Sequence, residues 1–403
     1  MNELIILPYF SVQETPSGER IVMRRFLKGV EAYAQRWPGQ VTVLIRHGSE
    51  PQEGLDPVVF HADEYPFDLE PLPSDSFILK KRLAQADVIL ATLDTSNLKL
   101  SALCQTINTA LVWITETSVR TRAQIIKADT SSLIRRGKRL LSNQLTEFFY
   151  QQAVRQASAV QCNGLPTFQD YQTINPQALL FFDSRINQDN IIRADKIIEK
   201  SGHIKSAQPL RLAFSGRLTE IKGVQYLPAV AEELRCRHIP FTLDIYGEGD
   251  LSGELEEAVK QKGLEAQVKL HGVADFYHEL IPTFQQSIDI FLCCHPQGDP
   301  SCTYLETLAC GVPIVGFDNE AWTGLQSISQ AGWVVETGNI TQIADTLEQI
   351  HRDRSLWLKP AQAGQEFALQ NTFEQTMDLR IEHLKQITHL KTQSAELSTE
   401  VNH

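Results

Sequence analysis

Short apolar runs alternate with helix-patterned segments along the whole chain, and that alternation restricts the fold to parallel sheets covered by helices. In the first half, strands are expected at Leu4–Pro8, Val41–Ile45, Val58–His61, Val88–Ala91, Ala110–Ile114, Ala159–Cys162 and Leu179–Phe182. A second set is expected at Leu210–Phe214, Phe241–Tyr246, Val268–His271, Ile288–Cys294, Pro313–Gly316 and Trp333–Val335. Residues 188–208 between them are polar and charged, as a connection between domains would be. The 403 residues suffice for two cores. We expect an α/β protein of two Rossmann-like, doubly wound domains, 1–187 and 209–370, followed by a helix and polar tail over 371–403.

Helical spacing is clearest in the second half, at Ala229–Cys236, Gly253–Lys262 and Ile340–Arg352, and again where Met377, Ile381, Leu384 and Ile387 recur. Several function classes fall away early. No apolar run approaches the ~18 residues of a spanning helix, and the opening Met-Asn-Glu-Leu-Ile-Ile-Leu-Pro reads as a first strand rather than a signal peptide. The seven cysteines lack Cys-x2-Cys spacing, which predicts reduced thiols, a cytoplasmic setting and no zinc site. A net charge of −12 argues against a general nucleic-acid binder. Against that acidic background, Arg120, Arg122, Lys127, Arg135, Arg136, Lys138 and Arg139 form a basic island broken by one acid, Asp129.

Two segments carry the chemistry. Phe214-Ser-Gly-Arg-Leu-Thr-Glu-Ile-Lys-Gly223 leaves a strand through a Gly216 turn and presents Arg217 and Lys222 where a helix is expected to begin, an arrangement suited to a diphosphate. Further on, Asp299-Pro-Ser-Cys-Thr-Tyr-Leu-Glu306 leaves a buried strand and enters a helix carrying Glu306, whose carboxylate can hold a sugar diol. Glycine turns follow two other strands, with Gly247 and Gly249 in one and Gly272 and Val273 in the other. Open α/β sheets bind ligands at such strand ends.

Over roughly residues 205–355 the chain resembles retaining glycosyltransferases of family 4, the glycosyl transferases group 1, which have the two-domain GT-B fold. The resemblance implies that Arg217 and Lys222 bind a donor diphosphate, that Glu306 binds the nucleotide ribose, and that the base lies near Gly272 and Val273. It further implies a last helix that crosses back onto the first domain. The family usually has two glutamates spaced as Gly298 and Glu306 are here, so the first is replaced by glycine. Asp299, one position later, is either a sugar-side carboxylate or a helix N-cap followed by Pro300. The amides of Cys302 and Thr303, with the Thr303 hydroxyl, are expected to face the donor. Many family members also have a histidine at the end of a middle first-domain strand. Leu111-Val-Trp-Ile-Thr-Glu-Thr117 has none, and Glu116 is the nearest polar candidate there. Gly18 stands in place of the family's glycine-rich first loop.

The expected function is transfer of a hexose, with retention, from a nucleotide diphosphate sugar to a glycan or polyprenyl-linked glycan, in exopolysaccharide or cell-envelope synthesis. No metal or cofactor is expected, since the nucleotide sugar is a substrate. The basic island, interleaved with Ile125, Ile126, Leu133 and Ile134, is expected to meet an anionic membrane surface or a lipid diphosphate acceptor. Two alternatives stand beside this reading: a nucleotide-sugar epimerase on the same fold, and a protein that binds nucleotide sugar without turning it over.

Overall fold

The computed structural model describes residues 2–14, 19–48, 57–130, 132–204 and 209–400, without the side chains of 128, 129, 203 and 392–400. Ten strands build the first sheet: β1 (Glu3–Leu7), β2 (Ser11–Glu14), β3 (Arg20–Met23), β4 (Gln40–Gly48), β5 (Pro57–Phe60), β6 (Asp68–Pro71), β7 (Val88–Thr92), β8 (Ala110–Thr115), β9 (Ala159–Asn163) and β10 (Ala178–Phe181). The order is β10-β9-β8-β7-β1-β4-β2-β3-β5, with β6 also on β4. All pairs are parallel except those of β3 with β2 and with β5. Every apolar run expected in this half lies in a strand. The strands β2, β3 and β6 were not expected, because each is four residues long and mixes charged with apolar side chains.

Helix α1 (Arg24–Arg36) covers one face of this sheet. Packed with it are Met377, Ile381, Leu384 and Ile387 of the last helix, α15 (Phe373–Glu400), which share a core with Leu27, Val30 and Tyr33. Helices α2 (Ser76–Leu83), α3 (Lys99–Ile107) and α5 (Leu133–Gln156) cover the other face through Leu83, Leu100, Cys104, Ala153 and Val154. Helix α4 (Val119–Asp129) is capped by Ser118, whose hydroxyl accepts from Thr121 N, and α6 (Leu165–Tyr171) follows β9.

The second sheet is wholly parallel, in the order β13-β12-β11-β14-β15-β16. Its strands are β11 (Leu210–Ser215), β12 (Phe241–Tyr246), β13 (Val268–Gly272), β14 (Ile290–Cys293), β15 (Ile314–Phe317) and β16 (Gly332–Val335). Helices α8 (Leu227–Cys236), α9 (Ser252–Gln261), α10 (Ile281–Ser287), α11 (Thr303–Ala309), α12 (Glu320–Ser329), α13 (Ile340–Arg352) and α14 (Leu358–Leu369) surround it. The segment read as a polar connection contains an amphipathic helix, α7 (Ala194–Ile204), whose Ile197 and Ile204 join the second core together with Ile191 and Ile192. Its charged residues lie mostly on the outer face, which is why composition alone suggested a linker.

The chain reverses direction across each sheet at a definite place. In the second sheet β11 lies between β12 and β14; in the first, β1 lies between β4 and β7. Such switch points open a crevice beyond the carboxyl ends of the strands. Both crevices here face the cleft between the domains, where side chains of the two domains meet.

Candidate active site in the inter-domain cleft

The loop after β11 starts with Gly216, whose amide donates to Tyr246 O at 3.1 Å. Arg217 follows and is exposed. Residues Glu220–Lys222 and Val224–Tyr226 form two short 3-10 turns, so α8 begins only at Leu227 and Lys222 precedes it rather than opening it. Gly223 links the turns with φ 69°, and a Cβ at that position would lie 1.7 Å from Cys294 O. Only glycine fits there, because the loop is pressed against the end of β14. The same approach buries Lys222 and directs its ammonium at Asp299 Oδ2, 2.7 Å away, and at Ser301 Oγ, 3.3 Å away.

Asp299 therefore does not cap a helix. The N-cap of α11 is Cys302, Pro300 lies outside the helix, and the Asp299 carboxylate is turned to Lys222. Ser301 Oγ donates to Thr303 Oγ1 at 3.1 Å. One turn on, Glu306 is buried and its Oε1 accepts from Arg185 Nε at 2.6 Å. The Arg185 guanidinium in turn lies over the Phe276 ring, 3.6 Å from its centroid. Arg25 of α1 bonds Asp183 at 2.6 Å within the first domain and reaches across the cleft to Cys302 Sγ at 2.9 Å. Burial pushes the Cys302 thiol well above its usual range, so it sits there uncharged.

The glycine turns enclose this loop. Gly247 has φ 122°, its amide donates to Gly272 O at 2.6 Å, and a Cβ on it would meet Gly216 O at 2.0 Å. The loop carrying Gly249 is tied to the first by Leu218 N donating to Glu248 O at 2.9 Å. Beyond Gly272, Val273 is exposed, and Tyr246 stacks on His271 with centroids 4.6 Å apart. Behind the loop that carries Lys222, His295 is buried, and among the described residues neither ring nitrogen has a hydrogen-bond partner. Burial, with Lys222 nearby, lowers its pKa well below the usual value and keeps it neutral.

On the first-domain side, a cavity of about 270 Å³ opens at the carboxyl ends of β7 and β8, lined by Tyr9, Asp94, Glu116, Arg122, Tyr150 and Tyr171 among others. Glu116 reaches water in this crevice yet is surrounded by protein. Desolvation, reinforced by Asp183 and Asp299, raises its carboxyl above the ordinary glutamate range. Desolvation and the Glu116 charge raise the Tyr9 phenol as well.

Gly298 has a structural explanation. Its amide donates to Gln124 Oε1 at 3.2 Å and its carbonyl lies 3.1 Å from Thr121 Oγ1, both residues belonging to α4 of the first domain. A Cβ at 298 would fall 2.7 Å from Thr121 Oγ1 and 3.1 Å from Glu320 Cβ. Glu320 secures the same contact, accepting from Ser118 and Thr121 and pairing with Arg120 at 2.8 Å. The two domains meet where a family member would carry its first glutamate.

The basic island divides on folding. Arg122 turns inward to Glu147, Asn143 and Thr117 O, whereas Arg120 pairs with Glu320 yet stays largely exposed. Arg136 and Arg139 bond Thr130. Lys127, Arg135 and Lys138 are exposed. Gly18 lies outside the described residues. Among the described residues no group of three or more His, Cys, Asp or Glu side chains is placed to hold a metal, and no helix is long and apolar enough to cross a membrane.

The structure thus links Lys222 to Asp299 and Ser301, and Ser301 to Thr303, and sets Cys302, Thr303 and Glu306 at the start of α11, while Arg217 is exposed on the loop that carries Lys222. It adds Arg25, Asp183, Arg185, Thr121 and Glu320, which sequence reading missed. Asp183 and Arg185 directly follow β10, and the strand-end rule could have flagged them. Arg25, Thr121 and Glu320 carry no local signal, because each acquires its role only when the other domain arrives.

Residues 195–367 match the profile of glycosyl transferases group 1. The chain is similar to a putative glycosyltransferase, EpsF, of Bacillus subtilis (strain 168), 31% identical over 121 residues and 30% of each chain. It is also similar to the amylovoran biosynthesis glycosyltransferase AmsK of Erwinia amylovora, 30% identical over 146 residues and 35% of each chain. The matches thus span about a third of these relatives' length. Across nearly the whole molecule the architecture is similar to that of Anabaena Alr3699/HepE in complex with UDP, with a TM-score of 0.67, 14% identity, and coverage of 96% of this chain and 100% of that one. The fold is GT-B, and over residues 195–367 its second half is similar to the glycosyl transferases group 1.

Proposed function

We propose that the protein is a retaining, metal-independent glycosyltransferase that moves a hexose from a nucleotide diphosphate sugar to a glycan or polyprenyl-linked glycan in exopolysaccharide or cell-envelope synthesis, on the cytoplasmic side. The observation that carries this reading is the burial of Lys222 with its ammonium aimed across the loop at Asp299, just ahead of the helix α11 that carries the buried Glu306. A donor diphosphate takes the place of Asp299 beside Lys222 and Arg217, and its ribose diol meets the Glu306 carboxylate that Arg185 orients. Positive charge so placed stabilises the leaving diphosphate as the glycosyl bond breaks. The acceptor hydroxyl approaches from the same face and passes its proton to the departing phosphate oxygen. The cavity with Tyr9, Asp94, Glu116 and Tyr150 offers the acceptor sugar aromatic faces and carboxylates. EpsF and AmsK carry glycosyltransferase names, and the Anabaena protein was solved with UDP, so a uridine donor is the first to test.

The test is ligand-observed NMR with UDP, GDP and ADP sugars, using Arg217→Ala and Lys222→Ala proteins beside the parent. One nucleotide class binds the parent and is lost in both variants. If no nucleotide sugar binds, or the variants bind as the parent does, the proposed donor site is wrong.

Gly298 supports a second reading, in which the protein holds nucleotide sugar without transferring it, because the position of the usual sugar-side glutamate is filled by the contact with Thr121. Donor binding with neither slow hydrolysis nor transfer to any lipid-linked glycan selects that reading.

A further inference from the structure

Helix α5 is amphipathic on both sides, with apolar side chains facing water as well as the core. It has 24 residues, about 36 Å at 1.5 Å per residue. Asn143, Glu147, Tyr150, Ala153 and Val154 turn toward the sheet. On the opposite side Ile134, Leu141, Leu145 and Phe148, spaced seven, four and three residues apart, share one stripe and are 76%, 65%, 56% and 57% exposed. Phe149 widens it and Leu133 extends it to the helix tip. Scattered exposed apolar residues are ordinary, but a continuous stripe along a helix marks an interaction surface.

The charges beside the stripe select its partner. Arg135 and Lys138 are exposed along its edge, while the only acid of α5, Glu147, is buried against Arg122. A cation-edged stripe in a chain of net charge −12 is complementary to a negative, apolar layer. A second copy of the chain docked stripe to stripe would offer Arg135 and Lys138 no exposed acid from its own α5. We infer that the outer face of α5 rests on an anionic lipid surface, with Ile134, Leu141, Leu145 and Phe148 in the headgroup boundary and Arg135 and Lys138 among the lipid phosphates. This inference is independent of the transferase reading and places the first domain, not the second, against the membrane.

Flotation of the full chain with phosphatidylcholine vesicles, with and without phosphatidylglycerol, tests it. The parent floats with the anionic vesicles only, and added salt weakens the binding. Each cation near such a surface contributes about fivefold, so Arg135→Glu with Lys138→Glu weakens binding by at least about 25-fold. Leu141→Ser with Leu145→Ser abolishes flotation while thermal unfolding stays at the parent value, since both side chains are exposed in the fold. No flotation with anionic vesicles, equal flotation with neutral ones, or variants that float like the parent each overturn the inference. A concentration-dependent dimer that Leu141→Ser dissolves, without flotation, overturns it in favour of a second copy.

Discussion

Lys222 Nζ lies 2.7 Å from Asp299 Oδ2, so the cation proposed to hold the donor diphosphate is paired with the acid that stands one residue after Gly298. Lys222 is buried on the second domain's core, whereas Asp299 sits on a loop that also reaches toward the first domain. A diphosphate arriving at Lys222 must turn this carboxylate aside. Asp299→Asn removes a like charge from beside the ligand, and UDP then binds roughly fivefold more tightly, the equivalent of about 1 kcal/mol. Calorimetric titration with UDP and with a UDP sugar separates two roles. If Asp299 also holds the sugar, the gain is seen for UDP and shrinks or reverses for the sugar nucleotide; weaker UDP binding contradicts the displacement argument.

Gly298→Glu restores the family residue but not its role. Its Cβ falls 2.7 Å from Thr121 Oγ1, a fully buried atom on the other domain, so the substitution forces the domains apart and lowers stability by about 1–3 kcal/mol. Thr121→Ala makes room, and the double variant is more stable than the sum of the single effects predicts, by at least about 0.5 kcal/mol. Denaturant unfolding of the four proteins measures this coupling. Strict additivity would mean that the inter-domain contact does not explain the glycine.

Glu116 carries the clearest pH signature in the cleft. Its carboxyl is raised by desolvation and by Asp183 and Asp299, so it is protonated over a pH range in which an ordinary glutamate is ionised. If the ionised form accepts a hydrogen bond from the acceptor, transfer declines on the acid side at a pH above the usual glutamate range. Glu116→Gln removes that limb and costs about 10- to 100-fold in kcat/KM, the worth of one hydrogen bond to a charged group. An unchanged acid limb in the variant assigns it to another residue.

Lys200 of α7 is fully enclosed, with its ammonium donating to Phe284 O at 2.9 Å, and burial lowers its pKa to about 7. Below pH 7 the lysine is charged in folded and unfolded chains alike, and the folded protein bears the full desolvation cost. Between pH 7 and the unfolded value of 10.5 the unfolded chain binds the extra proton, so stability rises with pH as that cost fades. Lys200→Met should therefore stabilise by about 1–3 kcal/mol at pH 6 and have little effect near pH 10. Denaturant midpoints at the two pH values decide it; a constant difference points to packing rather than charge.

The two sheets were legible because parallel strands are buried on both faces and read as unbroken apolar runs, as Leu210–Phe214 and Val88–Ala91 do. A short strand such as Ser11–Glu14, although paired on both sides with β4 and β3, lacks that signature, since only Val12 of its four residues is buried. The amphipathic helix α7 was hidden because a few buried isoleucines, Ile197 and Ile204 among them, are diluted by charged residues.

Arg217, Lys222 and Glu306 stand out in the sequence because a glycine turn, a strand end and a helix start are local features that fix where their side chains emerge. Tertiary structure alone decided that Asp299 pairs with Lys222 instead of capping a helix, that Arg122 turns in to Glu147 while Lys138 is exposed, and that Gly298 yields its space to Thr121. Each of these outcomes depends on an atom supplied by a distant part of the chain, across a domain boundary or from the next turn of packing. Local sequence sets what a residue can do, but which charges meet, and which reach water, is fixed only when the second surface closes over the first.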